Sequence, residues 1–344
     1  MSYTTINKSG LHFNTKLYAG SNSTQAVTGV GFQPDWVWIK NRSSTPDHKL
    51  HDVVRGSNKN LTSNSNAAEQ TYTYFNSFDS DGFTLDGNVS DYNQNGSNFV
   101  SWNWKAGGSS TTNPSGGTIT TTASVNTTAG FSVFTYTGNG SAAHIAHGLG
   151  VAPTVVWIKG RSSTPQWFVK HPGLSANQYL YLDGTNAATS GANAWSATNP
   201  DATKIYIGTD GGVNGNGETY VCYAFAEKTG FSKFGSYIGN GYANGTFVYT
   251  GFKPAFVINK RIDSTGNWML IDNKRLGYNP AQRDLRPNLS NAEGNDETFD
   301  FLSNGFKVKT TSNDFGGGSG ATYIFMAFAE EPLVGTNNVP ATAR

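Results

Sequence analysis

One ordered set of landmarks occurs three times along this chain, at nearly the same spacings, in units of about 100 residues. Each unit opens with a glycine and an apolar residue ahead of a strand-like run: Gly10-Leu11-His12-Phe13, Gly130-Phe131-Ser132-Val133-Phe134 and Gly230-Phe231-Ser232-Lys233-Phe234. A turn follows at Tyr18-Ala19-Gly20-Ser21-Asn22, Tyr136-Thr137-Gly138-Asn139-Gly140 and Tyr237-Ile238-Gly239-Asn240-Gly241, where Gly and Asn tolerate the positive φ of hairpins. Next comes a proline feeding an apolar run that ends in lysine six positions later: Pro34 to Lys40, Pro153 to Lys159, Pro254 to Lys260. Eight residues past that lysine stand His48, Trp167 and Trp268, and twelve past it stand Asp52, His171 and Asp272. Each unit closes on large alternating residues, Phe99 to Trp104, Tyr220 to Phe225 and Tyr323 to Phe328, preceded by a shorter shared run at Gly82-Phe83, Lys204-Ile205 and Gly305-Phe306.

Short β-runs punctuated by Gly and Asn predict an antiparallel sandwich in each unit. No window of helical length keeps an i, i+3, i+4, i+7 apolar pattern free of Gly and β-branched clusters. The expectation is therefore an all-β chain of three tandem antiparallel β-sandwich domains, jelly-roll or lectin-like, with little helix and a core in each. The units fall at residues 1–106, 130–227 and 228–331. The Gly/Ser/Thr-rich stretch 107–129 between the first two reads as a flexible linker by composition, and 332–344 as a C-terminal tail. Only Glu227-Lys228-Thr229 joins the second unit to the third, so those two should hold a fixed relation.

The chain is lightly charged: 24 basic and 23 acidic side chains leave a net charge of +1, with 14% charged residues. That balance removes the basic footprint of a duplex-binding protein. Aromatic residues make up 13%, which argues against disorder. A single cysteine, Cys222, excludes an intramolecular disulfide framework and a cysteine-based zinc site. The polar start after Met1 and the lack of a long apolar run predict no signal peptide, no transmembrane segment and synthesis in the cytoplasm.

Candidate chemistry is sparse. His147-Gly148-Leu149-Gly150 sits where the other units have a turn, so turn chemistry is favoured over catalysis. Asp79-Ser80-Asp81-Gly82 resembles the start of a calcium loop but lacks the distal bidentate Glu, which favours a β-turn. Cys222 alternates inside a core strand and reads as an inert buried thiol. No catalytic residue, metal or cofactor is expected. The most regular polar feature is a basic pair after the apolar run: Lys40 with Arg42, Lys159 with Arg161, Lys260 with Arg261. It is either a strand end rising into solvent or, with Trp167 and Trp268, a sugar-stacking or protein-interface surface.

These motifs resemble a family of tandem-repeat proteins of marine tailed bacteriophages, usually left uncharacterised or labelled tail-fibre or virion structural proteins. The resemblance is carried by Ser2-Tyr3-Thr4-Thr5-Ile6-Asn7-Lys8-Ser9-Gly10-Leu11-His12-Phe13-Asn14, Asn126-Thr127-Thr128-Ala129-Gly130-Phe131-Ser132 and Gly230-Phe231-Ser232-Lys233-Phe234-Gly235-Ser236-Tyr237. Ala327-Phe328-Ala329-Glu330 and Asn338-Val339-Pro340-Ala341-Thr342-Ala343-Arg344 complete it. It implies a non-enzymatic virion protein of the tail-fibre or tail-tip type that contacts the host surface, with host carbohydrate as one candidate ligand. A capsid decoration protein is the alternative, and a polysaccharide depolymerase a remoter one. The implied partners are other virion proteins and further copies of the chain, as a trimer or higher, with no nucleic acid and no membrane insertion.

Overall fold

The computed structural model describes residues 4–108, 112–296 and 298–334. The chain is all-β and antiparallel. Among the described residues the only helical pieces are the turns Ser9–Leu11, Ala192–Trp195 and Gly211–Asn214.

The same arrangement of four strands is built three times, in the second copy as the centre of a seven-stranded sheet. Its members are an opening strand (Phe13–Ala19, Phe131–Thr137, Ser232–Ile238), a closing strand (Asn98–Trp104, Thr219–Phe225, Thr322–Pro332), the apolar post-proline strand (Trp36–Asn41, Val155–Gly160, Phe252–Arg261) and a flanking strand (Lys49–Asp52, Phe168–Lys170, Trp268–Asp272). They lie side by side in that order. Each copy adds a small outer sheet in which Gln25–Thr28, Ala143–Ala146 or Phe247–Tyr249 pairs with Gly82–Leu85, Lys204–Ile207 or Gly305–Val308. The chain order of these pieces matches the sequence repeat, with one shift of register. His12, Gly130 and Phe231 accept the equivalent backbone bond, from Lys105, Ala226 and Ala329. The three opening glycines, read as equivalent, are therefore not superposed, and Phe13 and Phe131 correspond to Ser232.

The post-proline strand is apolar on both faces because both are covered. Trp36 and Trp38 join a cluster that includes Val155, Trp157, Phe225, Phe256, Phe328 and Met326 from the other two copies. Val37 and Ile39 point the other way, into a core formed with Val27, Phe83 and Leu85 of their own outer sheet. In the second copy Val156 and Ile158 likewise meet Ile145, Ile205 and Ile207.

The expectation of a core for each unit is therefore incomplete: copies one and two keep a core between their own two sheets, and the inner faces of all three main sheets close in addition on one shared aromatic core. Its rings meet across every copy boundary, with Trp36 to Tyr223 at 4.7 Å, Phe13 to Phe328 at 5.2 Å and Phe225 to Phe328 at 6.0 Å between centroids. Repeat periodicity reports how each unit folds, but not that its strands have a second apolar face seeking partners.

The stretch 107–129, expected to be a flexible linker, is bound along its described length. Thr121–Asn126 forms a strand against Phe131–Thr137, Thr112 pairs with Ala123, and Ser124 Oγ bonds Gly107 N and Gly108 O. Its glycines serve close approach: a Cβ at Gly107 would lie 2.8 Å from Val125 O, and one at Gly117 would lie 2.8 Å from Ile119 O. Of the expected tail, Pro332 ends the closing strand opposite Phe252, and 335–344 lie outside the described residues.

Candidate functional site

The conspicuous polar residues of the repeat meet where one copy packs on the next. Lys40, Lys159 and Lys260 do not rise into solvent at the strand end. Each follows the inward-facing positions of its strand and is fully buried. Lys159 Nζ donates to Gly160 O and, in the first copy, Asn66 O (2.8 and 3.1 Å). Lys260 Nζ donates to Arg261 O and, in the second copy, Thr185 O (2.5 and 3.3 Å). Lys40 Nζ stays within its own copy, on Asn41 O and Ser44 O. Burial, facing mainly neutral carbonyls, pulls all three ammonium groups down to about 8.

Trp167 and Trp268 are buried at the same seams. Their indole N–H groups donate to Thr62 O and Tyr181 O of the neighbouring copy at 2.9 and 2.8 Å. His48 holds this place in the first copy, where its Nδ1 accepts from Trp38 (2.8 Å), and burial with Lys40 close by holds it well below its ordinary pKa.

Arg42 and Arg161 form two-pronged ion pairs across copies. Arg42 reaches Glu293 of the third copy (2.7 and 2.9 Å), and Arg161 reaches Glu69 of the first (2.9 Å on both prongs). Burial pushes the Glu69 carboxyl up, but Arg161 and Arg55 outweigh it and hold it below the usual range. The backbone repeats the same contact: Glu293 N donates to Arg42 O, Glu69 N to Arg161 O and Ala188 N to Ile262 O (3.0, 2.9 and 2.8 Å). Thus the third-copy counterpart of Arg42 and Arg161 is Ile262, not Arg261. It faces Ala188 where the others face glutamate, and both pack on the shared core. Arg261 instead pairs with Asp263 on its own turn (2.6 Å).

The residues twelve past the lysine complete each seam. Asp52 binds Arg55 and accepts from Tyr223 OH of the second copy (2.7 Å). Asp272 binds Arg275 and accepts from Trp102 of the first (2.9 Å). The third closing strand carries Met326 at the position of Trp102 and Tyr223, and a thioether cannot donate. There the acid is replaced by His171, whose Nε2 bonds Phe325 O (3.0 Å), and burial drives this imidazole down to about 4. First copy to third, third to second and second to first, the contacts close a ring.

Sequence reasoning missed Glu69, Glu293 and a capping residue in each copy. Asn64, Asp183 and Asn288 each accept from the backbone N–H of His48, Trp167 and Trp268, all at 3.0 Å. Asn64 and Asp183 stand 24 positions past their lysines, but Asn288 stands 28 past Lys260, an offset that hides the match.

The remaining candidates are occupied by the fold. His147 Nδ1 accepts from Leu149 N and its Nε2 lies 3.1 Å from Asp201 O, which fixes the turn. The Asp81 carboxylate accepts from Gly29 N and Gly31 N. Cys222 is buried, and burial pushes its thiol up. Among the described residues no group of three or more His, Cys, Asp or Glu is placed to hold a metal, and no helix is long and apolar enough to cross a membrane.

What stays exposed is concentrated on the third copy. Tyr242, Tyr249 and Phe247 are 70%, 56% and 44% exposed, with Ile238 close in sequence. Where the third copy has Phe247 and Tyr249, the first has Ala26 and Thr28 and the second His144 and Ala146. The second copy's outer edge is overlaid by the chain itself: Thr118 N and Ile119 N bond His144 O, and Ile119 bridges Ile145. A family model described as a domain of unknown function, DUF7483, matches residues 8–332. The chain belongs to this family. One DUF7483 model thus runs through all three copies, as the shared core does. No curated protein and no solved structure matches.

Proposed function

We propose that this DUF7483 chain is a non-enzymatic structural protein of a bacteriophage virion, a tail-fibre or tail-tip type module that presents the outer face of its third copy to the host surface. The observation that carries the reading is the division of labour among the copies. Most of the repeated polar motif is spent on internal seams, while among the described residues only the third copy presents strongly exposed aromatic side chains on and beside its outer sheet. Exposed tyrosines with asparagine beside them, here Tyr242 between Asn240 and Asn244, suit the ring faces and hydroxyls of carbohydrate. The outer strands Gln25–Thr28 and Phe247–Tyr249 end their sheets and offer edges to neighbouring virion proteins or further copies. A glycan array probed with purified protein tests the ligand: binding that falls at least tenfold in Tyr242→Ala with Tyr249→Ala supports the reading. Absence of glycan binding, with normal adsorption of virions lacking the protein, contradicts it.

A further inference from the structure

We propose that the cavity beside Lys170 in the second copy binds a small carboxylate carried on a compact, partly apolar frame. The cavity is about 190 Å³ and is walled by Pro153, Leu174 and Pro200, with Lys170, His171, Thr154 and Asn199 as its polar lining. Such a volume, below that of a drug-sized pocket, suits a single small ring or a short acid.

Lys170 is 3% exposed; its ammonium donates to Ala176 O at 2.7 Å and lies 5.7 Å from the centroid of the Trp195 ring. An ammonium has three donors, so these contacts leave capacity for an anion. Among the described residues no carboxylate forms an ion pair with it, and burial alone accounts for the drop of its pKa to about 8. Neighbouring His171 adds no charge, because Gly173 N and Phe325 O occupy its two nitrogens. The hydroxyl of Thr154 is buried and unpartnered.

The other copies show that the fold does not need this charge. His51 and Ile271 stand at the register position of Lys170. His51 bonds Ser57 O, the counterpart of Ala176 O, and Tyr92 OH, so a neutral ring suffices for the turn. A buried cation without a counter-charge is costly, and a bound carboxylate offsets that cost. The inference concerns this cavity alone and stands apart from the virion reading.

Calorimetric titration of the full chain with glucuronate, acetate and glucose tests it, in the wild type and in Lys170→Met. Glucuronate or acetate should bind, glucose should not, and Lys170→Met should lose binding at least tenfold. Stronger binding of glucuronate than acetate identifies an acidic sugar, and equal binding a simple organic acid. Glucose binding as well as glucuronate, retained binding in Lys170→Met, or no binding of either acid overturns the proposal. Should the variant not fold, the Lys170 side-chain resonance of the wild type must move on adding the acids, and its failure to move has the same force.

Discussion

Ile262 facing Ala188 shows what the seams require. Where one copy offers arginine its neighbour supplies glutamate, and where it offers isoleucine the neighbour supplies alanine, so each pair is neutral as a unit. Removing one member leaves a poorly solvated charge, which costs more than removing both. Arg161→Ile and Glu69→Ala should each destabilise by about 1–3 kcal/mol, while the double variant falls short of their sum by about 1 kcal/mol or more, read from a denaturant double-mutant cycle. The buried histidines make a second prediction. His171 has a folded pKa near 4 against about 6.5 unfolded, so between these values the unfolded chain binds more protons and stability falls as the pH drops. His48 and His51, also lowered, act in the same direction. Between pH 6.5 and pH 4 the His171 contribution, about 3 kcal/mol, should be lost, against an opposing gain from Asp183, whose carboxyl burial raises to about 6, and His171→Gln should reduce the loss in pH-dependent unfolding. The lysine and tryptophan positions were legible because their spacing is constant. The glutamates were not, since a carboxylate in a loop has no periodicity and the third copy carries four extra residues before its own.

At the scale of elements, strands and turns were readable wherever alternation and glycine coincide. Gly20, Gly138 and Gly239 occupy equivalent corners, their N–H groups bonded to Ser97 O, Glu218 O and Ala321 O. A Cβ on any of them would run into a backbone carbonyl, that of Gln94, Gly215 or Gly318. Gly239→Ala should therefore cost about 2 kcal/mol or more, while Gly10→Ala, with nothing in contact range of its Cβ, should stay within about 0.5 kcal/mol, by thermal unfolding. The stretch after Ala106 was misread because glycine that permits close approach and glycine that permits flexibility look alike in composition. What separates them is the run Thr118 to Val125, whose hydroxyls and backbone find partners in the second copy, at His144 O and Ala146 O, and within the stretch, at Gly108 O and Thr112 O.

Across the whole molecule, fold class and threefold repetition were legible and the joining of the copies was not. A strand apolar on both faces is consistent with a self-contained sandwich or with a sandwich that shares its inner face, and only the assembled sheets distinguish them. Here Trp36, Trp157 and Phe256 meet in one cluster, and each copy bonds the next around a closed ring. The core inside the first or second copy covers only one face of its main sheet and the other face is shared, so the chain should unfold as one unit. Native-state hydrogen exchange across a denaturant series tests this most directly, by following the amides of Trp36–Asn41, Val155–Gly160 and Phe252–Arg261. A shared core predicts that all three strands converge on the same opening free energy and the same denaturant dependence. Separate opening of one copy, at a lower free energy and with about a third of that dependence, would contradict it.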